Sequence, residues 1–193
     1  MKKTWFVLGG ATLIVVIFIS IGFLQSSFVK KIIPGTQKPA ISPPTNLFRL
    51  QSPAFANGGN IPEKYTCDGT NIRPPLSVSG TPDGTKSLAI IVYDPDAAGG
   101  SFVHWIAWNI PPETKTLPEG GLSGIIKEGK TSFGSVGYIG PCPPSGTHRY
   151  VWRMYALANV LTLESIATRE DLETGINTFV IAQTEFSGRY TKK

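Results

Sequence analysis

Short apolar runs separated by glycine and proline dominate the chain from residue 48 onward. Three of them are rich in β-branched and aromatic residues, which favour strands: SLAIIVYD at 87–94, FVHWIAWNI at 102–110 and HRYVWRMYAL at 148–157. A weaker candidate lies at 49–52. The first two runs are apolar on both strand faces, as is typical of central strands covered on two sides. The pattern predicts a mainly β domain, a sandwich with loops or a helix over the outer face.

One segment near the C-terminus has helical periodicity instead. Thr168 is a candidate N-cap with Asp171 three residues later, and Gly188 is a candidate end. The positions between them that recur with a period of 3.6 are Leu172, Ile176, Phe179, Val180 and Gln183, of which only the last is polar. This pattern predicts a helix whose apolar stripe packs on a sheet.

The longest uncharged stretch, TWFVLGGATLIVVIFISIGFL at 4–24, lies at the N-terminus. At 1.5 Å per residue it matches a hydrocarbon core of roughly 30 Å. It is longer than the apolar region of a cleaved signal peptide, which remains the alternative, and no cysteine near its end supports a lipoprotein. We expect an uncleaved transmembrane signal anchor at residues 1–30. Lys2 and Lys3 favour a cytoplasmic N-terminus, so the domain is expected outside the cytoplasm.

A proline-rich segment follows the apolar stretch. Residues 34–47, PGTQKPAISPPTNL, have neither helical nor alternating periodicity, as expected of a stiff spacer. We therefore predict a linker at 31–47 and one folded domain at 48–193. That length is enough for one core and too short for two ordinary domains.

The formal charge of +5 does not indicate a nucleic-acid-binding domain. Four lysines flank the N-terminal apolar stretch, and the rest of the chain holds 14 basic against 13 acidic residues. The domain has no cluster of basic residues that could follow a phosphate backbone.

Both histidines of the chain lie where a predicted strand meets a polar loop. His104 follows the acidic turn DPDAAGG, and His148 follows the loop GPCPPSGT. Because Asp94 ends the strand before His104, the three side chains can meet at one rim of a sheet. A carboxylate beside imidazoles favours the protonated ring and fixes its tautomer, and backbone N–H groups of a glycine-containing loop add donors. Such a pocket would suit an anion, particularly a phosphate.

Each of these residues by itself has a structural alternative. Asp before Pro commonly initiates a turn by accepting backbone N–H bonds, so Asp94 alone favours a turn. His104 alone is typical of a hydrogen-bonded core histidine, and Trp105 and Tyr150 alone of core aromatics. Enzymatic alternatives are a zinc or non-haem iron site and a hydrolase using Ser145. No His-x-x-x-His spacing and no Gly-x-Ser-x-Gly motif supports them.

Four motifs in this order resemble the phosphatidylethanolamine-binding protein family, also called Raf-kinase-inhibitor-like proteins, and particularly its bacterial and archaeal branch. They are TCDGTNIRPPL (66–76), VYDPDA (92–97), FVHWIAWNIPP (102–112) and GYIGPCPPSGTHRYVWRMYAL (137–157). The similarity covers about residues 48–190, essentially the whole domain.

The resemblance implies an antiparallel Greek-key β-sandwich with a peripheral C-terminal helix. It also implies a small surface pocket that recognises phosphate-like anions or phospholipid head groups, with no cofactor and no bond-making step. An inhibitor or regulator of a protease or kinase is the alternative role that it implies. Arg73 departs from a frequent serine and either faces the pocket or is exposed and solvated. The pocket residues implied are Asp94, Asp96, His104, Trp105, Gly140, Pro141, His148 and Tyr150.

The two cysteines, Cys67 and Cys142, form an even pair, which favours a disulfide in an oxidising compartment. Such a bond closes a loop of about 75 residues and would contribute roughly 4 kcal/mol by chain entropy. Two reduced thiols in loops are the alternative.

Overall fold

The computed structural model describes residues 47–122 and 124–193. The predicted anchor at 1–30 and all but the last residue of the predicted linker at 31–47 lie outside the described residues. Within the described ranges, no helix has the length and apolarity that a membrane crossing requires.

The described residues form eight strands in two antiparallel sheets. The small sheet has the order β1-β2-β5 and the large sheet the order β6-β4-β3-β7-β8. The strands are β1 (Arg49–Gln51), β2 (Leu76–Ser79), β3 (Ser87–Asp94), β4 (Phe102–Ile110), β5 (Thr116–Leu117), β6 (Lys127–Glu128), β7 (Thr147–Leu157) and β8 (Val180–Thr191). A short 3-10 helix spans Glu63–Tyr65, and the helix α1 spans Arg169–Ile176.

The large sheet is covered on both faces, as the doubly apolar runs predicted. One face packs on the small sheet, where Leu50 and Val78 meet Trp152 and Met154 in a single buried cluster. The other face packs under α1 and the loops around it, in a second cluster that includes Leu172. The molecule is therefore a sandwich with a helix and loops over the outer face of the larger sheet.

The strands predicted from apolar runs are confirmed. β3 and β4 have the predicted bounds, β7 begins one residue earlier than predicted, and β1 ends one residue earlier. No sequence pattern predicts β2, β5 and β6, because two to four residues are too few to show alternation.

The predicted helix begins where expected but is much shorter, and the prediction that it continues to Gly188 is wrong. Thr168 caps α1 in a capping box with Asp171, and the helix ends at Ile176. Val180–Thr191 forms β8, whose buried Phe186, Gly188 and Tyr190 alternate with exposed residues. This period of two, rather than 3.6, lets β8 pair along β7 as the edge of the large sheet. The helix is thus peripheral, but a strand is the last element.

Candidate functional site

A cavity of about 370 Å³ opens at one end of the large sheet, where β3 and β4 meet the start of β7. It brings together Asp94, His104, Gly140, His148 and Tyr150, five of the eight residues predicted for the pocket. The other lining residues are Cys67, Ala97, Ala98, Phe102, Phe133, Ile139, Cys142, Pro143 and Pro144. The lining is thus a small polar group surrounded by apolar side chains.

His148 is held by a buried carboxylate. Its Nδ1 lies 2.7 Å from Oδ2 of Asp94, and Asp94 itself is almost fully buried at the end of β3. The other oxygen of this carboxylate, Oδ1, accepts the backbone N–H of Asp96 at 2.8 Å. Because a carboxylate only accepts, Nδ1 of His148 carries the proton. Nε2 is then the ring nitrogen left for a ligand, and it donates when the ring is protonated.

His104 owes its position to a β-bulge. Val92 pairs with Trp105 while Tyr93 pairs with Val103, so His104 is an extra residue in β4. Bulges re-aim a side chain at the edge of a regular ladder. His104 makes two hydrogen bonds with Ile139: Nδ1 of the ring lies 2.8 Å from the carbonyl oxygen of Ile139, and the backbone oxygen of His104 accepts the N–H of Ile139. Burial lowers the pKa of His104, although the Ile139 carbonyl and Asp94 act in the opposite direction.

Tyr150 lies beside the ring of His104 and two residues after His148 on β7. Its ring stacks edge-on against His104, with centroids 5.1 Å apart, and it is 1 % exposed. Burial, and next the charge of Asp94, raise the pKa of Tyr150, so the phenol keeps its proton. Its buried hydroxyl nevertheless meets no hydrogen-bond partner among the residues described. A buried hydroxyl facing a cavity without a partner is a site for a ligand oxygen.

The loop after Tyr138 contributes shape rather than the N–H donors predicted for it. The N–H of Gly140 donates to Oδ1 of Asn71 at 2.7 Å, and the N–H of Ile139 donates to His104. Pro141 has no N–H and is not among the residues that line the cavity; its carbonyl accepts the N–H of Cys67. The prediction of backbone donors from Gly140 and of contact by Pro141 is therefore corrected.

Two further predicted residues lie outside the cavity. Trp105 is fully buried in the core between the sheets, where its Nε1 donates to Glu128 at 2.6 Å. The bulge at His104 does not bring the indole to the cavity, so His104 and Trp105 do not share one pocket. Asp96 is exposed, and its Oδ2 accepts the backbone N–H of Arg149 at 2.8 Å. The turn role that Asp-Pro sequences favour belongs to Asp94, whose Oδ1 accepts the N–H of Asp96, while Asp96 links the turn to β7.

Arg73 neither faces the cavity nor is exposed, so both expectations for it are wrong. It is 2 % exposed, and its guanidinium lies 5.0 Å from the ring centroid of Trp105 and donates to the carbonyl of Pro118 at 2.6 Å. Burial lowers its pKa to about 10, which leaves it charged at neutral pH. Among the residues that the structure describes, those that line the cavity include no lysine or arginine.

A disulfide joins Cys67 to Cys142 at the cavity wall, with Cα atoms 5.4 Å apart. It ties the loop after Ile139 to the segment after the 3-10 helix. The hydrogen bond between Cys67 N–H and Pro141 O, at 3.0 Å, reinforces the same junction. The chain separation of 75 residues makes this a long-range constraint on the wall of the site.

The aromatic rim is a feature that sequence analysis missed. Phe133 is 74 % exposed, yet its ring packs edge-on against Phe102, with centroids 5.0 Å apart. The ring centroid of Phe102 lies in turn 5.0 Å from that of His104. Phe102 could have been inferred from its position two residues before His104 on the same strand, whereas nothing local to Phe133 marks it. No group of three or more metal-ligating side chains occurs in the described ranges.

Comparison with known proteins gives one consistent match. Residues 51–191 match the family model described as phosphatidylethanolamine-binding protein. A UPF0098 protein of Methanothermobacter thermautotrophicus is 45% identical over 148 residues, covering 74% of this chain and 98% of that protein. A UPF0098 protein of Pyrococcus horikoshii is 46% identical over 151 residues, covering 74% of this chain and 76% of that protein.

Two solved structures share the fold. The crystal structure of a phosphatidylethanolamine-binding protein homologue from Chlamydia trachomatis has a TM-score of 0.74 and 40% identity, covering 77% of this chain and all of that one. Escherichia coli YbcL, described as a new member of the mammalian family, has a TM-score of 0.71 and 31% identity, covering 76% and 99%. The chain therefore belongs to the phosphatidylethanolamine-binding protein family.

Proposed function

We propose that the domain is a non-enzymatic binding protein whose cavity takes the oxyanion of a phosphate-like group. The observation that carries the proposal is the pair formed by His148 and Tyr150. The imidazole is oriented by Asp94 at 2.7 Å, which leaves Nε2 for a ligand, and the Tyr150 hydroxyl is buried without a partner. Two donors converging on one space are what an oxyanion requires.

The apolar wall supports a ligand in which the anion is attached to an organic group. Phe102, Phe133 and Pro144 surround the polar group with surface that inorganic phosphate alone would not cover. A phospholipid head group, a phosphorylated small molecule and a phosphorylated or carboxylate side chain of a protein all have this form. Sites for small molecules commonly combine a mainly apolar lining with a few placed polar groups.

The side chains that line the cavity favour binding over catalysis. An Asp-His pair could activate a nucleophile, but the described part of the lining contains no serine or threonine, and both of its cysteines are in the disulfide. Ser145 is exposed and is not among the lining residues. The pair is therefore suited to orienting a donor.

Calorimetric titration of the full-length protein with phosphate and phosphoethanolamine tests the proposal. His148→Ala removes the donor, and we expect it to weaken binding by at least about tenfold, since hydrogen bonds to charged groups contribute roughly 1.5–3 kcal/mol. Thr147→Ala alters the exposed neighbour on the same strand and should bind like the wild type. Equal affinities in His148→Ala and the wild type would refute the proposal.

We further propose that the domain acts outside the cytoplasm, tethered by residues 4–24. The uncharged length of that segment and the Cys67–Cys142 disulfide support this location, because disulfides persist in oxidising compartments. Protease added to intact cells should cleave the domain from the membrane fraction. Complete protection, with cleavage only after lysis, would contradict it.

A further inference from the structure

Both imidazoles of the cavity have one ring nitrogen committed to the protein. Nδ1 of His148 is committed to Asp94 and Nδ1 of His104 to the carbonyl of Ile139. The ring hydrogen bonds found among the described residues are those of Nδ1, which leaves Nε2 of each ring for a ligand, and both rings line the cavity. What a ligand meets at these two positions depends on where the protons lie.

The partner of His104 fixes its tautomer. A carbonyl oxygen only accepts, so at a separation of 2.8 Å the proton lies on Nδ1. In the neutral ring Nε2 then carries a lone pair and accepts hydrogen bonds. His104 is 5 % exposed, and burial lowers its pKa, which favours the neutral ring with Nε2 as an acceptor.

The charges that face the cavity favour a ligand with a single negative charge. Asp94 is the one carboxylate among the lining residues described, it is paired with His148, and these residues include no lysine or arginine. Tyr150, next to both His104 and Asp94, is neutral. A doubly charged phosphate would bring an excess of negative charge next to Asp94.

Resting on the proposed function, we propose that the cavity selects a phosphomonoester in its singly protonated form. The P–OH group donates to Nε2 of His104, while the anionic oxygens accept from Nε2–H of His148 and from the hydroxyl of Tyr150. An oxyanion of the same shape and charge but without a proton leaves Nε2 of His104 facing another lone pair. A buried acceptor that is left without a partner weakens binding. A protonated ligand supplies the missing donor and avoids this loss.

Methyl phosphate and methyl sulfate are a matched pair for this test, because they are close in shape and only the phosphate has an ionisable hydroxyl. At pH 5.5, below the second pKa of about 6 for a phosphomonoester, both are mainly monoanions. Titration of the full-length protein should give an affinity for methyl phosphate at least about tenfold higher.

His104→Asn tests the residue responsible. The amide N–H of asparagine can still donate to the carbonyl of Ile139, but the shorter side chain places no acceptor where Nε2 was. We expect methyl phosphate to bind at least about fivefold more weakly, with methyl sulfate changed by less than about twofold. The ratio of the two affinities should therefore fall towards one. Thermal unfolding checks that the variant folds. If it does not fold, the ratio of the two affinities in the wild type tests whether the cavity selects the protonated phosphate.

The outcomes distinguish this proposal from the proposed function on which it rests. Equal wild-type affinities for the two ligands would overturn selection for a protonated phosphate and leave the oxyanion pocket standing. Selection that survives intact in a folded His104→Asn protein would overturn the role of His104. Binding of neither methyl phosphate nor methyl sulfate, nor of phosphoethanolamine, would overturn both proposals.

Discussion

Two walls of the cavity hold the same side chain in opposite chemical settings. On the β4 wall, His104 is buried in a bulge with Nδ1 on the carbonyl of Ile139. On the β7 wall, His148 has Nδ1 on the carboxylate of Asp94. The comparison shows that the partner of Nδ1 determines what Nε2 offers a ligand: a lone pair on the β4 wall, and a proton on the β7 wall once the ring is charged.

Removing the Cys67–Cys142 disulfide should affect the β4 wall and have the largest effect on stability. Cys142 follows Ile139 on the loop that holds His104, whereas Asp94 and His148 are held by paired strands. Replacing both cysteines by serine should lower the free energy of unfolding by about 4 kcal/mol, the chain-entropy value for a loop of this length. Denaturant unfolding measures the loss, and anion binding through His148 should persist in the folded fraction.

Thiol titration of the denatured wild-type protein checks the premise of that experiment. Two thiols should appear only after reduction. Equal thiol counts with and without reductant would show that the cysteines are not bonded and would leave the double variant without its expected effect.

Gly140→Ala should damage the β4 wall more locally. A Cβ at this position would lie 2.5 Å from the carbonyl oxygen of Tyr65 and 2.8 Å from Cα of Thr66. Backbone atoms at such distances must move, so we expect a loss of about 2–3 kcal/mol in denaturant unfolding. Gly175→Ala in α1 is the control, because its Cβ meets Leu163 at an ordinary 3.6 Å. The control should be neutral or slightly stabilising, and a harmless Gly140→Ala would contradict the packing described.

The pH dependence of stability tests whether His104 is held neutral in the folded protein. Burial lowers the pKa of His104 in the folded state below its ordinary value near 6.5. Below about pH 6.5 the unfolded chain therefore binds a proton that the folded protein does not, so stability falls as pH falls. The contribution is at most about 1.4 kcal/mol per pH unit. His104→Asn should lack it, and identical slopes for variant and wild type would show that His104 is not held neutral.

Asp96→Ala should have the smallest effect. The carboxylate is exposed and accepts one backbone N–H, from Arg149. We expect a loss of less than about 1 kcal/mol in unfolding and a change of less than about twofold in anion affinity. A loss of affinity beyond about fivefold would return Asp96 to the binding site as the sequence motif implied.

Much of the fold follows from the sequence because its central strands are long and apolar on both faces. β3 and β4 were predicted to the residue, since burial on two sides leaves a continuous apolar run. The error at β8 has a clear origin: Phe179 and Val180 continue the apolar spacing of α1 by coincidence. The pairing of β8 with β7, which is long-range, determines its structure instead.

The site was predictable only as far as strand ends could be expected to meet. Asp94, His104 and His148 follow from that rule, but the bulge at His104 does not, because it depends on the register between β3 and β4. The exposed ring of Phe133 and the burial of Arg73 against Trp105 arise from tertiary contacts that no local pattern records.

The protonation states of the two imidazoles test the different roles of His104 and His148 most directly. They can be read from side-chain ¹⁵N chemical shifts at neutral pH, with and without phosphate. We predict that His104 stays neutral with its proton on Nδ1 in both conditions. His148 should become doubly protonated as phosphate binds. A doubly protonated His104, or a His148 that phosphate leaves unchanged, would contradict the division of roles between the two walls.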